Sequence, residues 1–205
     1  MKKAFLLVSV SMMISHFAPA QAKAGIEQYS YSGMPLSDAI VPLYHIQSAN
    51  NWYGELRYNY EDVQTLSVYA GKTISGGKIT EFSITPLLGF STGRFKGISL
   101  AANSEISWKQ FYISSQLQYS HSIKKGTESF FFNWSELAYN VSPVFFTGFT
   151  MQYTRQPGQT DIEPGILAGF NFNSLSFPFY VFSPLREGQY FILGINYEYN
   201  FKKRP

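Results

Sequence analysis

Residues 189–201 alternate with a period of two. Phe191, Leu193, Ile195, Tyr197, Tyr199 and Phe201 fall on one face of an extended strand, and Tyr190, Ile192, Gly194, Asn196, Glu198 and Asn200 fall on the other. The first face is wholly apolar or aromatic, while the second grows polar toward the end of the stretch. A strand that hides one greasy face and shows a wet one belongs to a sandwich or to a membrane barrel. The same alternation recurs along the chain, and beyond residue 22 there is no run of 18 apolar residues of the kind a membrane helix requires. Lipid offers the backbone no hydrogen-bond partners, so only helices or closed sheets satisfy it there. Apolar surface delivered in alternation is the pattern of the closed sheet.

Composition separates the membrane barrel from its soluble counterpart. Aromatic residues make up 18% of the chain and charged residues 14%, where soluble domains carry about 25% charged residues. A lipocalin-like barrel keeps its apolar face inside, and so many outward aromatics with so few charges would give it a poorly soluble surface. The N-terminus points to export. Met1, Lys2 and Lys3 form a basic segment, residues 4–14 an apolar one, and Ala18, Ala20 and Ala22 place small residues where a signal peptidase cuts. Cleavage is expected after Ala22, with Ala20 or Ala24 as alternatives. There is no cysteine, which excludes a lipidated-cysteine anchor and a disulfide framework. The formal charge of +3 falls to +1 once Lys2 and Lys3 are removed, which is no footprint for nucleic acid.

The expected architecture is all-β: a transmembrane antiparallel up-and-down barrel of about ten strands, with eight or twelve possible, over residues 51–205. Residues 23–50 are open between a periplasmic lead, a partial plug and an early strand through Leu43 to Ile46. The first clear strand carries Trp52, Leu56, Tyr58 and Tyr60 outward and Tyr53, Glu55 and Arg57 inward, reversing at Glu61 and Asp62. The next two place Leu66 and Val68, then Phe82, Ile84, Leu88 and Phe90, toward lipid, and Pro86 predicts a bulge or a missing bond. Ile98, Leu100, Ile106 and Trp108 lie outward on the fourth, and Phe111, Ile113, Leu117 and Tyr119 on the fifth. In the sixth, Trp134 and Leu137 both suit lipid yet have opposite parity, which predicts an extra residue near Ser135 and Glu136. Phe145, Phe149, Met151 and Tyr153 face out on the seventh. A loop over residues 155–164, two strands turning at Asn173 and Ser174, and the final strand complete the set. Short and long links alternate, so an even strand count puts both termini on the side of the short turns. Trp52, Trp108, Phe111, Phe145, Phe172 and Phe201 form one girdle, and Tyr58, Tyr60, Phe90, Tyr119, Phe130 and Tyr153 the other.

On the strength of the signal peptide, the girdles and the ending Gly194, Tyr197, Tyr199 and Phe201, the chain resembles a small bacterial outer-membrane β-barrel protein. The resemblance implies a multi-pass barrel in a Gram-negative cell envelope with both termini in the periplasm and with outer-membrane lipid around it. It further implies that Gly194, Tyr197, Tyr199 and Phe201 are the insertion signal read by the barrel-assembly machinery.

The inward charges are the sharpest candidate for function. Glu55, Glu81, Glu105, Glu136 and Glu198 fall near one end of their strands, and the inward basic residue nearest them is Arg57, expected to meet Glu55 and, across the closure of the ring, Glu198. Buried charges must be paired or wet, so these residues form either a filled lumen or a cation-favouring constriction. Inward Tyr53, Tyr69, Tyr112, Phe146 and Tyr190 favour filling. Catalysis would rest on Ser120, His121 and Ser122 at the rim, as a lipid hydrolase, with Glu128 as a candidate third group. No zinc-protease motif, phosphate loop or metal-ligand cluster is present in the sequence, and no cofactor is expected. The reading is a non-enzymatic barrel with a structural, surface-binding or narrow-pore role. It predicts that the protein fractionates with outer membranes and runs faster on gels unboiled than boiled. Recovery from the soluble periplasm would exclude it.

Overall fold

The computed structural model describes residues 22–33 and 39–201. The expected signal peptide, apart from Ala22, lies outside them. Among the described residues the chain forms thirteen strands: β1 (Lys23–Ser32), β2 (Ala39–Gln47), β3 (Trp52–Tyr58), β4 (Thr65–Lys72), β5 (Ile74–Gly76), β6 (Thr80–Gly93), β7 (Gly97–Trp108), β8 (Phe111–Ser122), β9 (Phe130–Asn140), β10 (Phe145–Gln156), β11 (Gln159–Phe172), β12 (Leu175–Phe182) and β13 (Tyr190–Asn200). All pairings are antiparallel, and β1 pairs with both β2 and β13. β4 and β5 both pair with β6, so they are successive pieces of one position and the sheet closes as a ring of twelve. That corrects the expected ten. Of the three alternatives for residues 23–50, the strand is the one present, and there are two of them.

The outward set is the one the alternation selects. Leu66, Val68, Phe82, Leu88, Ile98, Leu100, Phe149, Ile166, Phe170, Leu193 and Ile195 are all exposed on the barrel wall, a belt suited to lipid. Trp52, Trp108, Phe111 and Phe172 ring the end where the described chain begins and ends, and Tyr58, Phe90 and Tyr119 stand toward the far end. Phe201 N donates to Ala22 O at 2.8 Å, so the two ends of the described barrel adjoin. The links at this end are short, down to the two residues Lys109 and Gln110 between β7 and β8. The short reversal at Glu61 and Asp62 is a far-end link, residues 59–64, and so falls in step with the others.

Proline marks the weak places in the ladder. Gly71 pairs with Leu87 and Ile74 with Ile84, so register is kept across the joint, which puts Thr73 opposite Thr85 and the last residue of β4, Lys72, opposite Pro86, which has no N–H to give. The bond is missing there without a bulge. On β12 the pairing with β13 skips Pro178, and a Cβ on Gly194 would stand 2.6 Å from the Pro178 ring. Gly194 is therefore required by packing.

Three local expectations are corrected. The register of β9 with β8 and β10 is continuous, so there is no extra residue near Ser135 and Glu136. Trp134 points inward, 6% exposed, with its Nε1 donating to Thr150 Oγ1 at 3.0 Å, and Leu137 points out. The price is that Asn133 and Ser135 face lipid. They satisfy one another locally: Asn133 Nδ2 donates to Ser115 Oγ at 2.8 Å, and the Ser135 hydroxyl donates to Asn133 Oδ1 at 2.8 Å. The loop expected at 155–164 is instead the tip of the β10–β11 hairpin, turning at Pro157 and Gly158. Two girdle residues turn inward: Tyr60 enters the lumen, as described below, and Phe130 pairs in register with buried Ser120 and packs 5.3 Å from the buried Phe95 ring. With Leu193 on the lipid face and Asn196 inside, Leu193→Arg should destabilise the folded barrel by about 2 to 4 kcal/mol and Asn196→Arg by less. Unfolding titrations in lipid vesicles measure both, and equal losses would contradict this register.

Candidate functional site in the lumen

Two residues along β3 from Glu55, Arg57 points into the barrel and is buried, 1% exposed. A buried guanidinium needs acceptors for its five N–H groups and a compensating charge. Its Nε donates to Glu55 Oε1 and its Nη1 to Gln118 Oε1 at 2.8 Å, while Glu61 Oε1 lies 3.8 Å from Nη1. The rings of Tyr69 and Tyr60 lie against the guanidinium, with centroids 4.2 and 4.4 Å from its carbon.

Glu61 and Tyr60 reach this point because the β3–β4 link folds into the barrel. Asn59 and Gln64, which bound it, both take left-handed backbone, at φ 61° and 56°. Asn59 Nδ2 donates to Ile40 O at 3.0 Å, its Oδ1 accepts from Gln64 N at 2.7 Å, and Asp62 pairs with Arg94 at 3.2 Å. Held in this way, Glu61 accepts from Tyr69 OH at 2.7 Å, from Gln118 Nε2 at 3.3 Å and from the Ser67 hydroxyl, and Tyr60 OH donates to Gln116 Oε1. The network continues through buried hydroxyl pairs, Ser67 with Ser91 and Ser99 with Ser120, each at 2.8 Å. Beside it lies a buried aromatic and aliphatic cluster. Phe182 stacks on Tyr190 at 5.0 Å, Tyr31 stacks on Tyr190 at 6.4 Å, and Leu167 and Ile192 are fully buried. Together these groups pack the interior toward the far end.

Toward the terminal end the interior opens into a vestibule of about 1010 Å³. Tyr29, Trp134 and Tyr180 floor it, with centroids 5.3 to 6.5 Å apart. Its walls carry the carboxylates of Glu27, Glu55, Glu81, Glu105, Glu136 and Glu198 against the ammonium groups of Lys23 and Lys109. Glu55 Oε2 turns to this side, accepting from Tyr53 OH at 2.8 Å and Asn103 Nδ2 at 3.3 Å. Glu27 Oε2 accepts from Tyr29 OH at 2.7 Å, and Glu27 Oε1 lies 3.5 Å from His45 Nδ1.

All six charged residues nominated from the sequence point inward, but they are not one network. Arg57 meets Glu55 as expected and does not meet Glu198, because β1 and β2 stand between β3 and β13 in the ring. Glu198 pairs with Lys23 at 3.7 Å near the mouth. Glu27, Tyr60, Glu61 and Gln118 belong to the site although they are not among the six expected residues. The alternation of Glu27, Tyr29 and Tyr31 was a legible signal for the first of these. No local pattern announces a loop that folds inward.

The rim nominees are separated by the same alternation. Ser120 is buried on the lumen side, where Gln118 Nε2 donates to its Oγ at 2.7 Å, while His121 is exposed on the outer side. His121 Nδ1 lies 3.3 Å from Ser129 Oγ, and Ser122 bonds to the Lys124 backbone. Neither nominated serine meets the imidazole, and Glu128 is exposed in the link. Among the described residues, no three potential metal ligands converge.

Removing the cation from this site leaves two buried carboxylates uncompensated. Arg57→Met should cost about 3 to 5 kcal/mol of folding free energy, and much of that should return when Glu55→Gln and Glu61→Gln are added. Urea titration of the refolded barrel distinguishes this from simple loss of packing, which the added substitutions would not restore.

No protein-family model and no curated protein matches the sequence. Among solved structures the chain is similar to the KdgM porin, with a TM-score of 0.61 and 12% identity over 84% of this chain and 98% of that one. It is similar to the KdgM porin in complex with disordered oligogalacturonate, at 0.58 and 13% over 85% and 98%. It is also similar to the NanC porin, at 0.52 and 8% over 85% and 98%. At these identities the likeness is one of fold, and the chain has the closed-barrel fold of the outer-membrane porins.

Proposed function

We propose that this chain is a non-enzymatic porin-like barrel of the bacterial outer membrane, with both termini in the periplasm, holding a narrow cation-favouring passage shut. The observation that carries the reading is the acidic vestibule ending at the buried Arg57 network. Six carboxylates face two lysines there, and the deeper cation Arg57 is already engaged by Glu55 and Glu61. A low-dielectric wall lined by one sign of charge concentrates the opposite sign in the water it encloses. The KdgM porin is known in complex with oligogalacturonate, a chain of acidic sugars. A polyanion of that kind would be repelled here, so the solute class is the opposite one. Lipid contacts the outward belt, and Gly194, Tyr197, Tyr199 and Phe201 are the segment the assembly machinery reads.

The wild-type protein should give no steady current in planar bilayers. Loosening the seal with Tyr60→Ala and Glu61→Ala should produce a steady, cation-selective conductance, and adding Glu81→Gln with Glu105→Gln should weaken the selectivity. Heat-dependent gel migration checks that each variant has folded. Steady current from the wild type would remove the seal, and anion selectivity in the opened variant would remove the charge reading.

A further inference from the structure

We propose that the vestibule floor binds an organic polycation of the polyamine class, a methylene chain carrying two or more protonated amines. This rests on the cation-favouring reading and adds the ligand class to it. The spacing of the carboxylates is the first argument. Glu105 pairs in register with Ser114, and Ser114 with Glu136, so two inward carboxylates flank one serine from strands on either side of β8. At about 4.8 Å per strand their backbones stand about 10 Å apart. In the ring of twelve, β1 lies six positions from β8, which puts Glu27 on the opposite wall. Negative charge is therefore spread around the floor, and the same described residues offer no three converging ligands for a compact metal ion. An elongated ligand with separated charges fits that distribution.

The second argument is what lies between the charges. Tyr29, Trp134 and Tyr180 supply aromatic surface for the methylenes and for cation–π contact with the amines. The third is unmet acceptor capacity. Asn103 Oδ1 and Asn196 Oδ1 are buried and accept no hydrogen bond, and both residues line the vestibule, Asn196 in register with Glu27. Buried amide oxygens without donors are costly, and an alkylammonium group brings three donors and no acceptor. Charge, apolar floor and orphaned acceptors thus select the same chemistry.

Spermidine is the probe, titrated into the purified barrel in detergent micelles and followed by calorimetry. Emission of Trp134 is followed in parallel in a Trp52→Phe, Trp108→Phe background, since Trp134 is then the one tryptophan left. Saturable binding that perturbs Trp134 is expected. Glu105→Gln with Glu136→Gln should weaken it about tenfold or more, equivalent to about 1.4 kcal/mol. Glu128→Gln in the far-end link should leave it unchanged, and Mg²⁺ at matched ionic strength should not compete. If the double variant fails to fold, Glu27→Gln on the opposite wall carries the same expectation. Non-saturable binding, equal competition by Mg²⁺, or equal affinities in the floor and link variants would overturn the site as mere charge screening. Failure of binding in a barrel that is silent in bilayers and cation-selective once opened removes only the polyamine site, whereas anion selectivity in the opened barrel removes the channel reading as well.

Discussion

Everything in this barrel follows from the requirement that no backbone N–H or C=O be left to lipid. The requirement is met by closure, β1 against β13 and β4 with β5 against β6, and it tolerates proline only where a missing donor is covered. Pro86 stands at the β4–β5 joint itself, yet register is the same on either side of it. Beside the gap the Thr73 and Thr85 hydroxyls bond to each other at 2.8 Å on the lumen side. Closure then sets a second problem. A ring of twelve encloses more volume than the eight-stranded barrels whose side chains fill them, so its interior must be packed, wetted or both. This one is both, in separate halves.

The packed half works because the buried Arg57 charge is compensated from several elements. Glu55 alone could neutralise the guanidinium but could not serve five donors, and a partly satisfied buried ion is worse than an apolar filler. Additional acceptors come from Gln118 on β8, six ring positions from β1, and from Glu61 on the in-folded link. The link is thus a structural member of the lumen. Its two left-handed residues are polar, Asn59 and Gln64, and Asn59 uses its side chain to fasten the turn it makes.

Where alternation and burial agree, the fold was legible from sequence, and β3 to β8, β10 and β13 carry their expected faces. Legibility failed where the lipid face is not apolar. β1 presents Gln28 and Ser30 on the same outward parity as Ile26, and β2 contains Pro42, so neither reads as a membrane strand although both are one. At β9 the pattern offered either Trp134 or Leu137 to lipid. The hydrogen bonds that let Asn133 and Ser135 face outward come from Ser115 on another strand and have no local signature. The candidate site is misplaced for the same cause: a ring short of two strands sets Glu198 beside Arg57, whereas Gly25 and His45 separate Glu198 from Glu55, and Arg57 shares its row with Leu43, Glu27 and Asn196. The carboxylates themselves were visible because an inward glutamate on an otherwise apolar strand has few other reasons to be there.

The division between halves is drawn through a single side chain. Glu55 gives Oε1 to Arg57, in the packed half, and Oε2 to Tyr53 and Asn103, on the vestibule wall. Deeper carboxylates such as Glu61 are fully engaged by donors of the protein, while those nearer the mouth, Glu81 and Glu105, face open water. Charge that is compensated by the chain can be dehydrated and packed. Charge left to water keeps its field and is free to attract. Because Glu55 belongs to both sets, the Arg57 network cannot be weakened there without adding to the uncompensated charge of the vestibule, and the two halves are tied by the geometry of one carboxylate.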